Sequence, residues 1–168
     1  VEVAVFNGDI GIDEGTDDLI NNAVLNISIP VLDNLSVDAG YILNIGDTDG
    51  LQGELSVSDI KEAVGGAALS VTGTFEPFSF TVEYLTALKE FDSSELDFDS
   101  DGEGDMPACL NVECAYAVHD TLEAAFRFST VAEFIDVSGT VIGAGVSYGV
   151  FDDSTLAAEI LSISPDED

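Results

Sequence analysis

The sequence predicts an all-β protein, an antiparallel up-and-down β-barrel of about nine strands. Three observations predict it. Apolar and polar residues alternate with a period of two over segments of about ten residues, the pattern of antiparallel strands. Short turns near residues 32, 76, 119 and 152 alternate with longer polar loops near 13, 53, 97 and 133, as in transmembrane β-barrels, whereas a β-sandwich mixes loop lengths at both ends. The acids are concentrated in the loops, and the polar strand positions are mostly Ser, Thr, Ala, Asn and Gly. A soluble acidic sheet would spread Asp and Glu over its solvent face.

The alternation is clearest from Ala108 to Ile163. Leu110, Val112, Cys114, Tyr116 and Val118 fall on one face of a strand, and Cys109, Asn111, Glu113, Ala115 and Ala117 on the other. Its return strand carries Leu122, Ala124, Phe126 and Phe128 on the apolar side, opposite Thr121, Glu123, Ala125 and Arg127. SGTVIGAGVSYGV and TLAAEILSI form a second hairpin, after which Pro165 ends the strand.

Upstream, VEVAVFNG is the first strand, followed by the acidic loop DIGIDEGTDD. The chain therefore opens inside a strand, which predicts a processed product or part of a longer chain. NAVLNISIP and LSVDAGYILNI make a hairpin with its turn at Val31–Asn34. The loop GDTDGLQGELSVSDIKEAV is expected to hold one helical turn around Ser58–Ala63. GAALSVTGTF and FSFTVEYLTAL follow, joined at Glu76–Pro77, where the missing proline N–H costs no ladder bond. KEFDSSELDFDSDGEGDMP is the most acidic loop.

Length and composition set bounds. The 168 residues form a single domain, 1–168, ending in an acidic tail over 164–168, and 46% hydrophobic content excludes a disordered acidic chain. Three basic residues, Lys61, Lys89 and Arg127, face 34 acidic ones for a net charge of −31, so nucleic acid is excluded as a partner by phosphate repulsion. Cations, or solubility in high salt, suit that charge. No signal peptide opens the sequence, and no apolar run is long enough for a membrane-spanning helix.

The phrases NIGDTDGLQGEL, FEPFSFTVEYLTALKEFD, MPACLNVECAYAV and VSYGVFDDSTLAAEIL resemble the later part of LbtU-type siderophore porins of Gram-negative outer membranes. The similarity runs in patches over roughly residues 1–163. It implies an outer-membrane barrel that passes small solutes, proposed to include iron–siderophore complexes. Cys109 stands where the family pattern has an aromatic, and the family's upstream strands and its final strand are not in this sequence. An odd strand count does not close an ordinary bacterial barrel, so partner segments would have to complete it.

Two sets of residues are candidate sites. Asp38, Glu83, Glu113, Glu123, Arg127 and Glu159 lie on the polar strand face and would line a cation-favouring pore if that face turns inward. The alternative is the solvent face of a soluble sheet. Arg127 is expected to meet Glu113 across the strands rather than Glu123 along its own. Asp97, Asp99, Asp101, Glu103 and Asp105, with Gly102, match the opening of an EF-hand-type loop for Ca²⁺. Ala108 replaces the bidentate Glu at the twelfth position, and a solvated acidic loop is the plainer reading. Asp47 with Asp49, and the acids from Asp13 to Asp18, are weaker versions.

His119 is expected in a solvated two-residue turn with no nucleophile beside it. Cys109 and Cys114 sit on opposite faces of one strand, roughly 17 Å apart at ~3.4 Å per residue, too far to bond to each other. No acid pair, nucleophile–base set or metal cage marks an enzyme. The expected function is a passive outer-membrane pore for small solutes or cations, in contact with outer-membrane lipid. The alternative is an extracellular or cell-surface structural protein that self-associates through strand edges, with Ca²⁺ in its acidic loops.

Overall fold

The structure, a computed structural model, describes residues 1–8, 11–12, 20–55, 59–98, 101–134, 139–151 and 154–165, with the backbone alone at 11, 12, 49 and 59. Its centre is one nine-stranded antiparallel sheet in which the strands follow one another in chain order. These are β1 (Glu2–Phe6), β3 (Asn22–Leu32), β4 (Leu35–Ile42), β6 (Gly66–Phe75), β7 (Phe78–Ala87), β8 (Ala108–His119), β9 (Leu122–Ala132), β10 (Gly139–Phe151) and β11 (Ser154–Pro165). All nine expected strands are present, in an up-and-down meander. The sheet is not closed. β1 and β11 are its edges, and because nine strands alternate in direction the two edges run the same way.

The four hairpin turns gather at one end, as the loop spacing predicts. Leu32 pairs with Leu35, Phe75 with Phe78, His119 with Leu122 and Phe151 with Ser154, so each turn holds two residues. Two boundaries differ from the sequence reading. The first turn is Asp33–Asn34 rather than Val31–Asn34, and His119 ends β8 with the turn at Asp120–Thr121. The cause is the same in both. The register shifts between Pro30 and Leu32, and again between Ala117 and His119, leaving Val31 and Val118 as extra residues that carry the strand further. A third shift falls at Val150. Such bulges bend the strand and increase its twist, and they are frequent at barrel rims.

At the other end the long connections fold into a cap. Ile45–Asp47 forms a 3-10 turn and α1 (Asp49–Gln52) a single helical turn. The helical turn expected around Ser58–Ala63 is therefore displaced. Asn44 begins the 3-10 turn by accepting the Gly46 amide on its side chain at 3.1 Å, and Leu51 in α1 is buried, which rewards helix there. Ser58 lies outside the described residues, and Asp59–Ile60 instead forms a two-residue strand, β5, parallel to β2 (Gly11–Ile12).

The hydrophobic core lies in this cap. Leu51, Val64, Phe91 and Leu96 pack with Ala87 from the end of β7, and Ile45, Leu55, Phe98 and Phe134 join them. Gly66 permits the contact between cap and sheet. A Cβ there would stand 2.2 Å from Ile45 Cγ2, so any other residue would push the cap off β6.

Candidate functional site

The strand register places the polar residues of all nine strands on one face. Glu2 is opposite Asn26, Asn26 opposite Gly40, Asp38 opposite Ser70, and Ser70 opposite Glu83. The row continues from Thr81 to Glu113, from Glu113 to Arg127, and from Gly145 to Glu159, with Glu123 opposite Ser147. All six residues expected to line a pore therefore share one surface. That surface is concave. Thr72, Thr81, Glu113, Arg127, Gly145 and Glu159, from six successive strands, line a single open cavity of about 620 Å³. Glu2, Asn26, Asp38, Ser70 and Glu83 line a second of about 430 Å³.

Within the concavity the carboxylates outnumber their partners. Arg127 Nε lies 3.7 Å from Glu113 Oε1, the cross-strand pairing expected from the sequence. Asn111 donates to Glu83 Oε2 at 3.4 Å, while its own Oδ1 is buried with no partner among the described residues. Asn111 is a member of this face that charge alone did not single out. It sits between Glu83 and Ser129 in the register, which alternation does indicate. Gly143 also belongs here. A Cβ on it would come within 2.7 Å of Leu161 Cδ2, so this glycine serves close packing of β10 against β11.

The opposite face inverts the usual pattern of a water-soluble sheet. It carries Val3, Tyr41, Leu69, Tyr84, Tyr116, Phe126, Val146 and Ile160, all exposed, Ile160 at 80%. Among the described strand residues on this face none is charged. No second layer covers it among the described residues, and Ala87 is the single residue of the nine strands among the buried hydrophobics. The register also places the aromatics. Phe75, Phe78 and Tyr116 are consecutive cross-strand partners beside the turns, with Phe78 and Tyr116 rings 4.8 Å apart. Tyr84 stands six residues further along the sheet and Tyr41, opposite Ala67 and so level with Thr86, eight, roughly 20 and 27 Å at ~3.4 Å per residue. Phe80, Phe126 and Phe128 lie between these levels on the same face, so aromatics are spread through the apolar belt.

The cap closes over the polar face at the long-loop end. Several of its polar groups are satisfied internally. Buried Asn22 donates to Asp47 Oδ2 at 2.6 Å and to the Asn44 carbonyl at 2.7 Å, and Asn44 Nδ2 reaches Asp47 Oδ2 at 3.4 Å. Asp47, a weak calcium candidate, here holds the start of the cap to β3. Asp49 has no described side chain, and Asp13 to Asp18 lie outside the described residues. Buried Glu95 accepts the Lys61 amide at 2.6 Å and the Asp92 amide at 3.3 Å. Lys61 pairs with Asp92, and Lys89 with Glu62 at 2.7 Å, fastening the 59–65 and 88–98 segments together. The Lys61 hydrogen bond, helped by Ser94, holds the Asp92 carboxyl well below the ordinary carboxylate range. The Lys89 hydrogen bond lowers that of Glu62.

The acidic loop directs several of its carboxylates at its own backbone. Asp97 Oδ2 accepts from the Gly102 amide at 3.2 Å, Asp101 Oδ1 from Glu103 at 2.7 Å, and buried Asp105 Oδ2 from Phe98 at 2.5 Å. Glu103 is exposed, and Asp99 lies outside the described residues. Asp97 Oδ1 is buried with no hydrogen-bond partner among the described residues. Among the described residues, no three His, Cys, Asp or Glu side chains are placed to hold one metal ion. His119 is exposed at the turn end of β8. Both cysteines are free, with Cys109 on the polar side of β8 beside Leu85 and Cys114 exposed on the apolar side beside Phe80 and Phe126.

Set against known protein families, curated proteins and solved structures, the chain matches none.

Proposed function

We propose that this chain forms part of an outer-membrane β-barrel that passes small solutes or cations without chemical catalysis. One observation carries the proposal: among the described residues, a charge-free apolar face with no layer over it spans nine strands and backs a concave, carboxylate-bearing face. In water an uncovered apolar sheet face of this extent is unstable, whereas lipid is its natural cover. Strands of ten to thirteen residues, such as β6 to β11, match the nine to eleven needed to cross a bilayer at a tilt. The phrases resembling siderophore porins support the same reading.

In this reading Asp38, Glu83, Glu113, Glu123 and Glu159 attract cations along the inner wall, with Arg127 neutralised by Glu113. The cap narrows one mouth. β1 and β11 run parallel, so antiparallel closure takes an odd number of further strands, supplied by other segments or chains. The test is heat-modifiability on a detergent gel of material from its native source. Detergent-dependent extraction with a shift on boiling, followed by cation-selective conductance in planar bilayers, is the expected result. Recovery in plain buffer would overturn it.

A second reading is a structural surface protein that assembles through its edges. β11 is exposed along all twelve residues and carries one charge, Glu159, which suits strand addition. Asp97 Oδ1, with no hydrogen-bond partner among the described residues, offers one oxygen for Ca²⁺. Assemblies in detergent-free buffer that dissolve with chelator would support this reading over the pore.

A further inference from the structure

Between the cap and the sheet lies a cavity of about 570 Å³, distinct in chemistry from the charged concavities below it. We propose that it binds a small, uncharged, apolar molecule. The cavity stands apart from the pore reading, because passive flow of ions needs no apolar chamber.

The lining carries the argument. The sheet supplies Val24, Ile42 and Leu85 as walls, with Ala68 and Ala87 as a low floor, and the cap supplies Leu51 and Phe134 as a roof. Leu51 belongs to the buried core and Phe134 packs against it, with the Phe134 ring edge-on to Phe98 at 6.2 Å. The roof is therefore fixed by packing. The volume falls within the roughly 300–1,000 Å³ of small-molecule sites, which are mostly apolar with a few polar groups.

Charge then selects the ligand. The chain carries 34 acidic residues, yet among the described residues no charged side chain lines this cavity. An anion there would meet no cationic side chain and a cation no carboxylate among the described lining residues, so whatever desolvation each suffered would go uncompensated. Two polar groups stand at the margin. The Asn26 amide oxygen leans to 3.1 Å from where a Gly40 Cβ would be, and the Thr48 hydroxyl donates to the Ile45 carbonyl at 2.7 Å. They suit a ligand with an apolar body and a single hydrogen-bonding group.

Cys109 lines this cavity and Cys114 faces the other side of the sheet, so the chain contains its own reporter. In Cys114→Ser protein, held in amphipathic polymer rather than small detergent, alkylation of Cys109 by N-ethylmaleimide is timed with and without N-phenyl-1-naphthylamine. The neutral probe should slow alkylation at least tenfold, saturably, at one probe per chain. The anionic 1-anilinonaphthalene-8-sulfonate should protect at least tenfold less tightly. Ala68→Leu, which raises the floor, should weaken protection by the neutral probe while strand content by circular dichroism is unchanged. Non-saturable probe uptake with Cys109 unprotected would mean partition onto the outer apolar face. That result, or equal protection by both probes, would overturn the site and leave the pore reading intact.

Discussion

The cap and the sheet follow opposite patterns of burial. The cap behaves as a small water-soluble protein: apolar side chains are buried, and its inward carboxylates accept amide hydrogens. The sheet, several times larger, buries almost nothing on its apolar side and keeps its charges on the concave side. Nine strands with one uncovered apolar face are not a complete soluble fold, whereas the cap is a complete core in miniature. The difference shows where each gets its stability. The cap draws on internal packing, and the sheet depends on hydrogen-bonded ladders and whatever covers its outer face.

This contrast can be broken from either side. The largest effect is expected at the cap centre. Leu96→Ala removes a buried side chain and should cost the cap about 2–5 kcal/mol. Hydrogen exchange should show it as lost protection at Phe91 and Leu96 with the β8–β9 ladder unchanged. Loss spread equally over the sheet would mean that cap and sheet are one cooperative unit. Next is a pair of substitutions on the two sheet faces. Ala144→Arg places a charge in the apolar belt and should cost about 2–4 kcal/mol in lipid, whereas Ala115→Arg, between Glu113 and Glu123 on the polar side, should stay within about 0.5 kcal/mol. Equal costs for the pair, measured by refolding into vesicles, would remove the distinction between the faces.

Gly66→Ala tests the seam. Its Cβ meets Ile45, and overpacking of this kind costs about 1–3 kcal/mol. Faster proteolysis of the 45–55 segment, without loss of strand content, is the expected outcome. The smallest effect is that of pH. Asp92 and Glu62 have carboxyl pKa values lowered in the folded cap, so their contribution is complete above the unfolded carboxylate range of about 4 and is lost as pH falls through the lower folded values. The Ser94 amide resonance, which reports its bond to Asp92, should hold steady from pH 8 to 5 and move only in stronger acid. Movement near pH 6 would contradict the assignment.

Much of the sheet was legible before the structure. Strict alternation in ACLNVECAYAVH and TLEAAFRFS assigns each residue to a face, so Glu113 and Arg127 could be placed together on the polar side. The bulge at Val118 then sets their register, since an unbroken ladder from the two-residue turn would put Phe128 opposite Glu113. The cap was not legible. Leu51, Val64, Phe91 and Leu96 stand singly among acidic and small residues, with no period to connect them. The recurrence of a large apolar residue in KEFDSSELDF, at Phe91, Leu96 and Phe98, was the available signal. The helical turn was misplaced for the same reason. Its position follows from burial of Leu51 and the Asn44 cap rather than from propensity in SDIKEA. The acidic loop reads as a calcium loop by spacing, but spacing does not say that Asp97, Asp101 and Asp105 accept amides of their own loop.

What the amino-acid order determined by itself is local to each strand: strand number, facing and the end at which the turns gather. The physical reason is that a period of two commits alternate residues to opposite faces. Register needed the structure, because bulges at Val31, Val118 and Val150 shift it in three of the four hairpins. The tertiary structure decided what depends on distant contacts: the inward fold of the loops, the core they build on Ala87, the apolar cavity beneath them, and a sheet that curves without closing. Those features arise from packing between segments far apart in the chain, which no local pattern encodes.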